Sequence, residues 1–493
     1  NRISILRLRF VLGFMVSSVF AAIGVVAPLF FYLSLFYGAI VALFYLRYIL
    51  SDPNAITPYS LLAINFSAGY LIGPLVAVSY FLRPHVASPI LLSGPFAFNG
   101  DVETFTIAIT FASLIIAELI FLSEFSSNRL LLYFAGHNQF SSKIRDRVFT
   151  TTITMLVAAA LLSGDIGYMG VQTIFHSTHI TILGGLGGSI LTALPALFVV
   201  RALRVNVSRL IKALFILVTL LIFASISIIG RRYLIYSALS TIIIAFYFRP
   251  DIEKSLRVAR LKHLVNLRRI LMFFLMGIIV LVGMSYFFAL RIATDIMGVE
   301  QPLSTRIVRA WDILGGPLYK EHHFRSQSET RSGTLPGYLG SLMESNGETL
   351  DGVCMLYAVI NSVPSLILHN KDKLVDEYSC TDERVNTLHG LPPQDSPTTI
   401  LTQAYADFGY FGPIFYVILI SALFGVVPWL IRVDGSRDFS VFAVALTLNT
   451  LLYTEQGLSF YFVSIRNLII IFIFSFCIKI FLSRANAGLR RAI

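Results

Sequence analysis

Apolar runs long enough to cross a bilayer recur along this whole chain, and that property leaves few folds open. A helix needs ~20 apolar residues to cross ~30 Å of hydrocarbon. Inside a bilayer every backbone group must find its partner within the protein, which admits helices or closed barrels. The alternating pattern of an outer-membrane barrel is absent from the sequence. Of 493 residues, 56% are hydrophobic and only 13% charged, about half the charge of a soluble chain. The expected class is all-α and polytopic.

About twelve spans are expected. Residues 10–46 are almost wholly apolar, too long for one helix, and suit a hairpin bent near Pro28. The others are roughly 59–82, 103–122, 148–164, 178–200, 210–230, 233–248, 270–290, 408–431, 438–454 and 461–482. The run from Gly184 to Gly188 offers small residues for close helix packing. The chain begins at Asn1 without a Met, which reads as a trimmed start. The first apolar run lacks a small-residue cleavage site and reads as a retained helix.

The positive-inside rule orients the spans. Most of the 38 Lys and Arg residues fall in one alternating set of segments: 1–9, 47–58, 123–147, 201–212, 249–269, 432–437 and 479–493. Long loops barely count, and with 291–398 set aside only Arg83, Arg231, Arg232 and Arg466 oppose the rule. Both termini are therefore expected in the cytoplasm and the long loop outside. The net charge of +11 is assigned to cytoplasmic loops facing anionic lipid, not to nucleic acid. The basic stretch 249–269 reads as a stop-transfer anchor or an interfacial helix.

The expected division is an N-terminal bundle over 1–290, a long outer loop over 291–398 and a C-terminal bundle over 399–493. The loop is too long for a mere connector. Its start predicts an amphipathic helix at 303–314 near the membrane face, and short helices are expected around 352–368. Cys354 and Cys380 both lie in this loop. They are either a disulfide of an oxidising compartment or two buried thiols. No CxxC or HExxH spacing supports a metal site.

The arginine pair Arg231-Arg232, in IIGRRYLIY, falls on the outer hairpin between two spans. Guanidinium forks bind phosphate bidentately and stay charged; the competing role is snorkelling to outer headgroups. Arg466, about two turns into the last span, is either a structural ion pair, with Glu455 as a candidate partner, or a substrate contact. Asp407, in the segment Tyr405 to Gly412, could act as a base, hold an arginine, or cap a helix. Gly409 and Gly412 would let backbone or substrate approach closely.

A long outer loop between the ninth and tenth spans, an arginine-rich outer hairpin before it, and a Y-x-D-F-G-x-x-G segment after it together resemble the Wzy-type O-antigen and oligosaccharide repeat-unit polymerases. The resemblance covers the whole topology. It implies a GT-C-like helical fold in a bacterial inner membrane, with substrates carried on undecaprenyl pyrophosphate and handled on the periplasmic face without metal or cofactor. It implies basic roles for Arg231 or Arg232 and for the loop arginines Arg306, Arg309 and Arg325. Asp407, Gly409 and Gly412 match the segment after the loop. A chain-length-regulating co-polymerase is the partner it implies.

The expected reaction is attack by an acceptor hydroxyl on the anomeric carbon of a lipid-linked glycan, with lipid pyrophosphate leaving. Arginines would stabilise the leaving charge. A base must take the hydroxyl proton, and His322, His323, Glu321 and Asp407 are the candidates. An O-antigen ligase would use the same donor with a lipid A-core acceptor. A lipid-linked glycan transporter would place charges through the midplane of several spans, where this chain has few beyond Glu118 and Arg466. A sensor would leave Arg231-Arg232 unexplained.

Overall fold

The computed structural model describes residues 2–52, 55–75, 78, 96, 102–126, 143–162, 182–203, 208–229, 231–247, 301–319, 331–345, 347–364, 367–392 and 397–492, with scattered positions between 278 and 298. All regular structure among them is helical. Five helical stretches are long and apolar enough to cross a membrane: Ile5–Gly24, Pro28–Ser51, Val102–Phe125, Ile400–Asp434 and Leu458–Phe481. Gly188–Leu203 and Tyr233–Ala245 are shorter apolar helices. The chain is a multi-pass membrane protein. The expected hairpin is present, as helices Arg2–Gly24 and Pro28–Ser51. Proline at the first position of the second helix explains the break: its fixed φ and missing N–H suit a helix start and nothing further in. The expected span 408–431 begins earlier, at Ile400, because Thr399 and Thr402 form a reciprocal capping box there.

Two compact units divide the chain, and each draws on distant segments. The first comprises residues 1–130, 322–425 and 450–466. Its hairpin packs against Val102–Phe125. Arg7 is buried there. Its Nη1 lies 2.9 Å from Glu124 Oε2 and donates to Ser123 O at 2.9 Å. The helix Arg331–Glu344 approaches closely: a Cβ on Gly340 would meet Thr104 O at 2.2 Å. Asn65 donates to both Leu451 O and Tyr453 O, at 2.9 and 3.0 Å, and so satisfies carbonyls where the helix Arg437–Leu452 ends.

The second unit comprises residues 131–321, 426–449 and 467–493. Its core is aromatic, with Phe149 edge-on to Phe439 and Phe442 at 5.5 and 5.7 Å. The short turn from Asp434 to Asp438 fastens it by charge. Asp434 pairs with Lys479, Ser436 Oγ donates to Asp146 at 3.0 Å, and Asp438 pairs with Arg201. Both turn carboxylates are wholly buried at the side chain, where a charge persists only with a partner. Nearby, Thr192 O accepts from Ser237 Oγ and Asn449 Nδ2 at 2.6 and 2.9 Å. The expected helix at 303–314 is found at Leu303–Ile313.

Candidate functional site

The long loop 291–398 contributes 291–321 to the second unit and 322–398 to the first. Within the first, the ten-residue helix Val353–Ser362 organises the polar groups. Asp351 and Gly352 both carry left-handed φ, 49° and 91°, and turn the chain sharply into the helix. Cys354, in its first turn, is bridged to Cys380 with Cα atoms 4.9 Å apart. The bridge sits in a buried apolar cluster with Phe96, Tyr338, Leu342 and Ala406.

Asp407 caps this helix. Its Oδ1 accepts the Cys354 N–H at 3.1 Å, and its Oδ2 accepts the Met355 N–H at 3.1 Å and the Tyr416 hydroxyl at 2.7 Å. The residue is completely buried. A carboxylate taking two amide N–H groups at a helix N-terminus complements the dipole and the unpaired donors together. The geometry is that of a positioning group.

The other end of the helix holds cations. Lys371 Nζ donates to Asn361 O at 2.7 Å and to Val363 O at 2.9 Å. Arg466 Nη1 lies 3.4 Å from Ser362 O. Asn361 Nδ2 donates to Ser459 Oγ at 2.6 Å, tying this end to the start of the last span. Burial, and then the charge of Arg466, pull the Lys371 ammonium below the usual lysine range, while Asp372 acts the other way. A helix C-terminus carries only about half a negative charge. Lys371 and Arg466 bring two cationic groups to this end, with the Asp372 carboxylate beside the first.

Asp407 and Arg466 thus stand at opposite ends of one helix, ~15 Å long at 1.5 Å per residue, and do not share a contact. Tyr405 is ring-packed edge-on against Tyr410 at 5.3 Å and Phe111 at 6.3 Å. Gly409 has φ 60°, and the chain there makes a short 3-10 turn. A Cβ on Gly412 would meet Ala404 O at 1.8 Å, so this glycine serves a close backbone approach. Gln403 joins the disulfide to the last span: its Oε1 accepts the Leu458 N–H at 2.8 Å and its Nε2 reaches Cys380 Sγ at 3.5 Å.

Arg306 and Arg309 belong to the second unit. Arg306 is buried on the face of its helix that also carries Ala310 and Ile313, while Arg309 is exposed, 3.8 Å from Asp312. Arg231 and Arg232 open the helix Arg231–Tyr247; their side chains lie outside the described residues, as do Glu321, His322, His323 and Arg325. Among the described residues no group of three or more His, Cys, Asp or Glu side chains gathers. Lys371, Asn361 and Ser459 were missed in the sequence, where nothing local marks them. Set against family models, curated proteins and solved structures, the chain finds no match.

Proposed function

We propose that the chain is a repeat-unit polymerase of surface polysaccharide, acting on undecaprenyl-pyrophosphate-linked glycan at the periplasmic face of a bacterial inner membrane, with both termini cytoplasmic. The full fold in this reading has about twelve spans in a GT-C-like arrangement. The observation that carries it is the cation pair Lys371 and Arg466 at one helix end, beside the mouth of the last candidate span. An ammonium and a guanidinium held together are the groups that would bind a lipid-borne pyrophosphate. The disulfide supports an oxidising compartment for the outer loop.

In the reaction, the acceptor hydroxyl oxygen forms a bond to the anomeric carbon. The bond from that carbon to the pyrophosphate oxygen breaks, and its electron pair leaves with the lipid pyrophosphate. The hydroxyl proton passes to a base, for which His322 and His323 are proposed. Lys371 and Arg466 hold the leaving group. Asp407 keeps their helix in place from its far end. A co-polymerase that sets chain length is the proposed partner.

Surface-polysaccharide banding from a strain lacking this gene tests the reading. A single repeat unit on the lipid A-core, in place of a ladder, is the expected result. Polymer that accumulates on carrier lipid but never reaches the core would instead identify a ligase.

A further inference from the structure

The lipid-facing side of the first unit carries two ionisable residues that find no partner among the described residues. On the helix Arg2–Gly24, Ile5, Leu8, Leu12 and Val19 are exposed at 40% or more along one stripe, and Arg9 is exposed on the same stripe. On the neighbouring helix Val102–Phe125, Leu114, Phe121 and Phe125 are exposed by 44%, 52% and 71%. Glu118 falls between them, one turn after Leu114 and one turn before Phe121, and is half-buried. The two helices are packed together. Among the described residues neither Arg9 nor Glu118 makes an ion pair or hydrogen bond, whereas Arg7 and Glu124 on the same two helices pair at 2.9 Å. Lipid alone would leave Arg9 snorkelling toward headgroups and Glu118 in hydrocarbon, where a carboxyl is disfavoured.

The register between the helices fixes relative depth. Arg7 meets Glu124, and Ser18 Oγ donates to Thr110 O at 3.3 Å. Interpolating between those contacts puts Arg9 and Glu118 within about one helical turn, ~5 Å, of the same depth. A two-fold axis along the membrane normal preserves depth and sets each patch against its own copy. The helix carrying Arg9 then faces the partner's helix carrying Glu118, and the reverse contact forms by symmetry.

We infer that this face joins two copies of the chain in the membrane, with Arg9 of each set against Glu118 of the other. The apolar residues around the pair exclude water, and a polar contact between spans is worth enough to select one packing. The inference does not rest on the polymerase reading.

Two differently tagged copies, co-expressed in membranes and both carrying Cys477→Ser to remove the exposed free thiol, test it. One carries Leu12→Cys and the other Leu114→Cys. Mild oxidation should give a doubly tagged dimer. Glu118→Lys in both copies should reduce that dimer about tenfold, the loss of a contact of the size found between spans, and so should Arg9→Glu. Glu118→Lys together with Arg9→Glu should restore it. Glu118→Gln, which keeps the shape, should reduce the dimer with membrane levels unchanged. No dimer in the parent pair overturns the inference. So does a dimer indifferent to these charges, or a crosslink formed to a different membrane protein.

Discussion

Asp407 accepts the backbone N–H of Cys354 at 3.1 Å, so the carboxylate after the long loop holds the disulfide-bearing helix inside it. The residue that a sequence reading offers as a base is engaged at both oxygens, by two amides and the Tyr416 hydroxyl. A proton acceptor for a substrate hydroxyl needs a lone pair that the substrate can reach.

Replacing Asp407 by Ala should therefore destabilise the part of the long loop that packs in the first unit, residues 322–398, here called the cap. Losing an N-cap and leaving buried donors unpaired costs about 1–3 kcal/mol. Thermal unfolding in detergent should show a lowered Tm, with a smaller drop for Tyr416→Phe. Asp407→Asn that unfolds like the wild type yet has no activity would make Asp407 the base after all.

The disulfide should matter by a comparable amount. Cys354→Ser with Cys380→Ser removes a cross-link across 26 positions, worth about 2–4 kcal/mol. Limited proteolysis of spheroplasts should cut the double variant within residues 345–392 faster than the wild type. Equal cutting rates would show that packing alone holds the cap.

His389 should make the cap acid-sensitive. Its Nδ1 lies 2.7 Å from Ser345 Oγ, which itself donates to Leu342 O, so Nδ1 is the donor of the pair. Nε2 is buried without a hydrogen bond. Burial pushes the imidazole below its usual range, which means the folded state favours the neutral ring. The stability this contributes is complete above the unfolded value of ~6.5 and is lost as pH falls through the lower folded value. Tm measured from pH 8 to pH 5 should fall below ~6.5, and His389→Gln should flatten that slope. An unchanged slope in the variant would assign the acid loss to other groups.

In the second unit the Arg201–Asp438 pair should be the most sensitive to truncation. Asp438 is wholly buried, accepts from Thr150 Oγ1 at 2.9 Å and pairs with Arg201. Asp438→Ala leaves a buried guanidinium uncompensated, a loss of about 3–5 kcal/mol. Membrane yield should collapse, and Asp438→Ala combined with Arg201→Met should recover part of it. Normal yield from Asp438→Ala alone would show that water or lipid reaches Arg201.

The five long apolar helices were legible because an apolar run is written locally, as is Pro28 at the hairpin; the Thr399 capping box, which starts one of them at Ile400, went unread. The close backbone approach at Gly412 was one of two readings that its glycine offered. The candidate site was legible only in fragments. Asp407 stood out by its segment, yet its partner Cys354 lies 53 positions away. Lys371 sits among other loop charges, and only the fold sets it beside Arg466. Asp438 drew no reading from the sequence, since Arg201 lies 237 positions earlier. Local pattern records which residues form a helix; it does not record which charges meet after the helices pack.

The central claim is that Lys371 and Arg466 hold a lipid pyrophosphate as it leaves. Purified protein in liposomes, given undecaprenyl-pyrophosphate-linked repeat units, measures this directly as the length and rate of glycan formed. Wild type should make a ladder. Lys371→Met and Arg466→Ala, each folded by Tm, should slow it roughly tenfold to a hundredfold, the loss of a charged contact of ~1.5–3 kcal/mol. A wild-type preparation that never extends beyond one repeat unit, or variants that polymerise at the wild-type rate, would contradict the account.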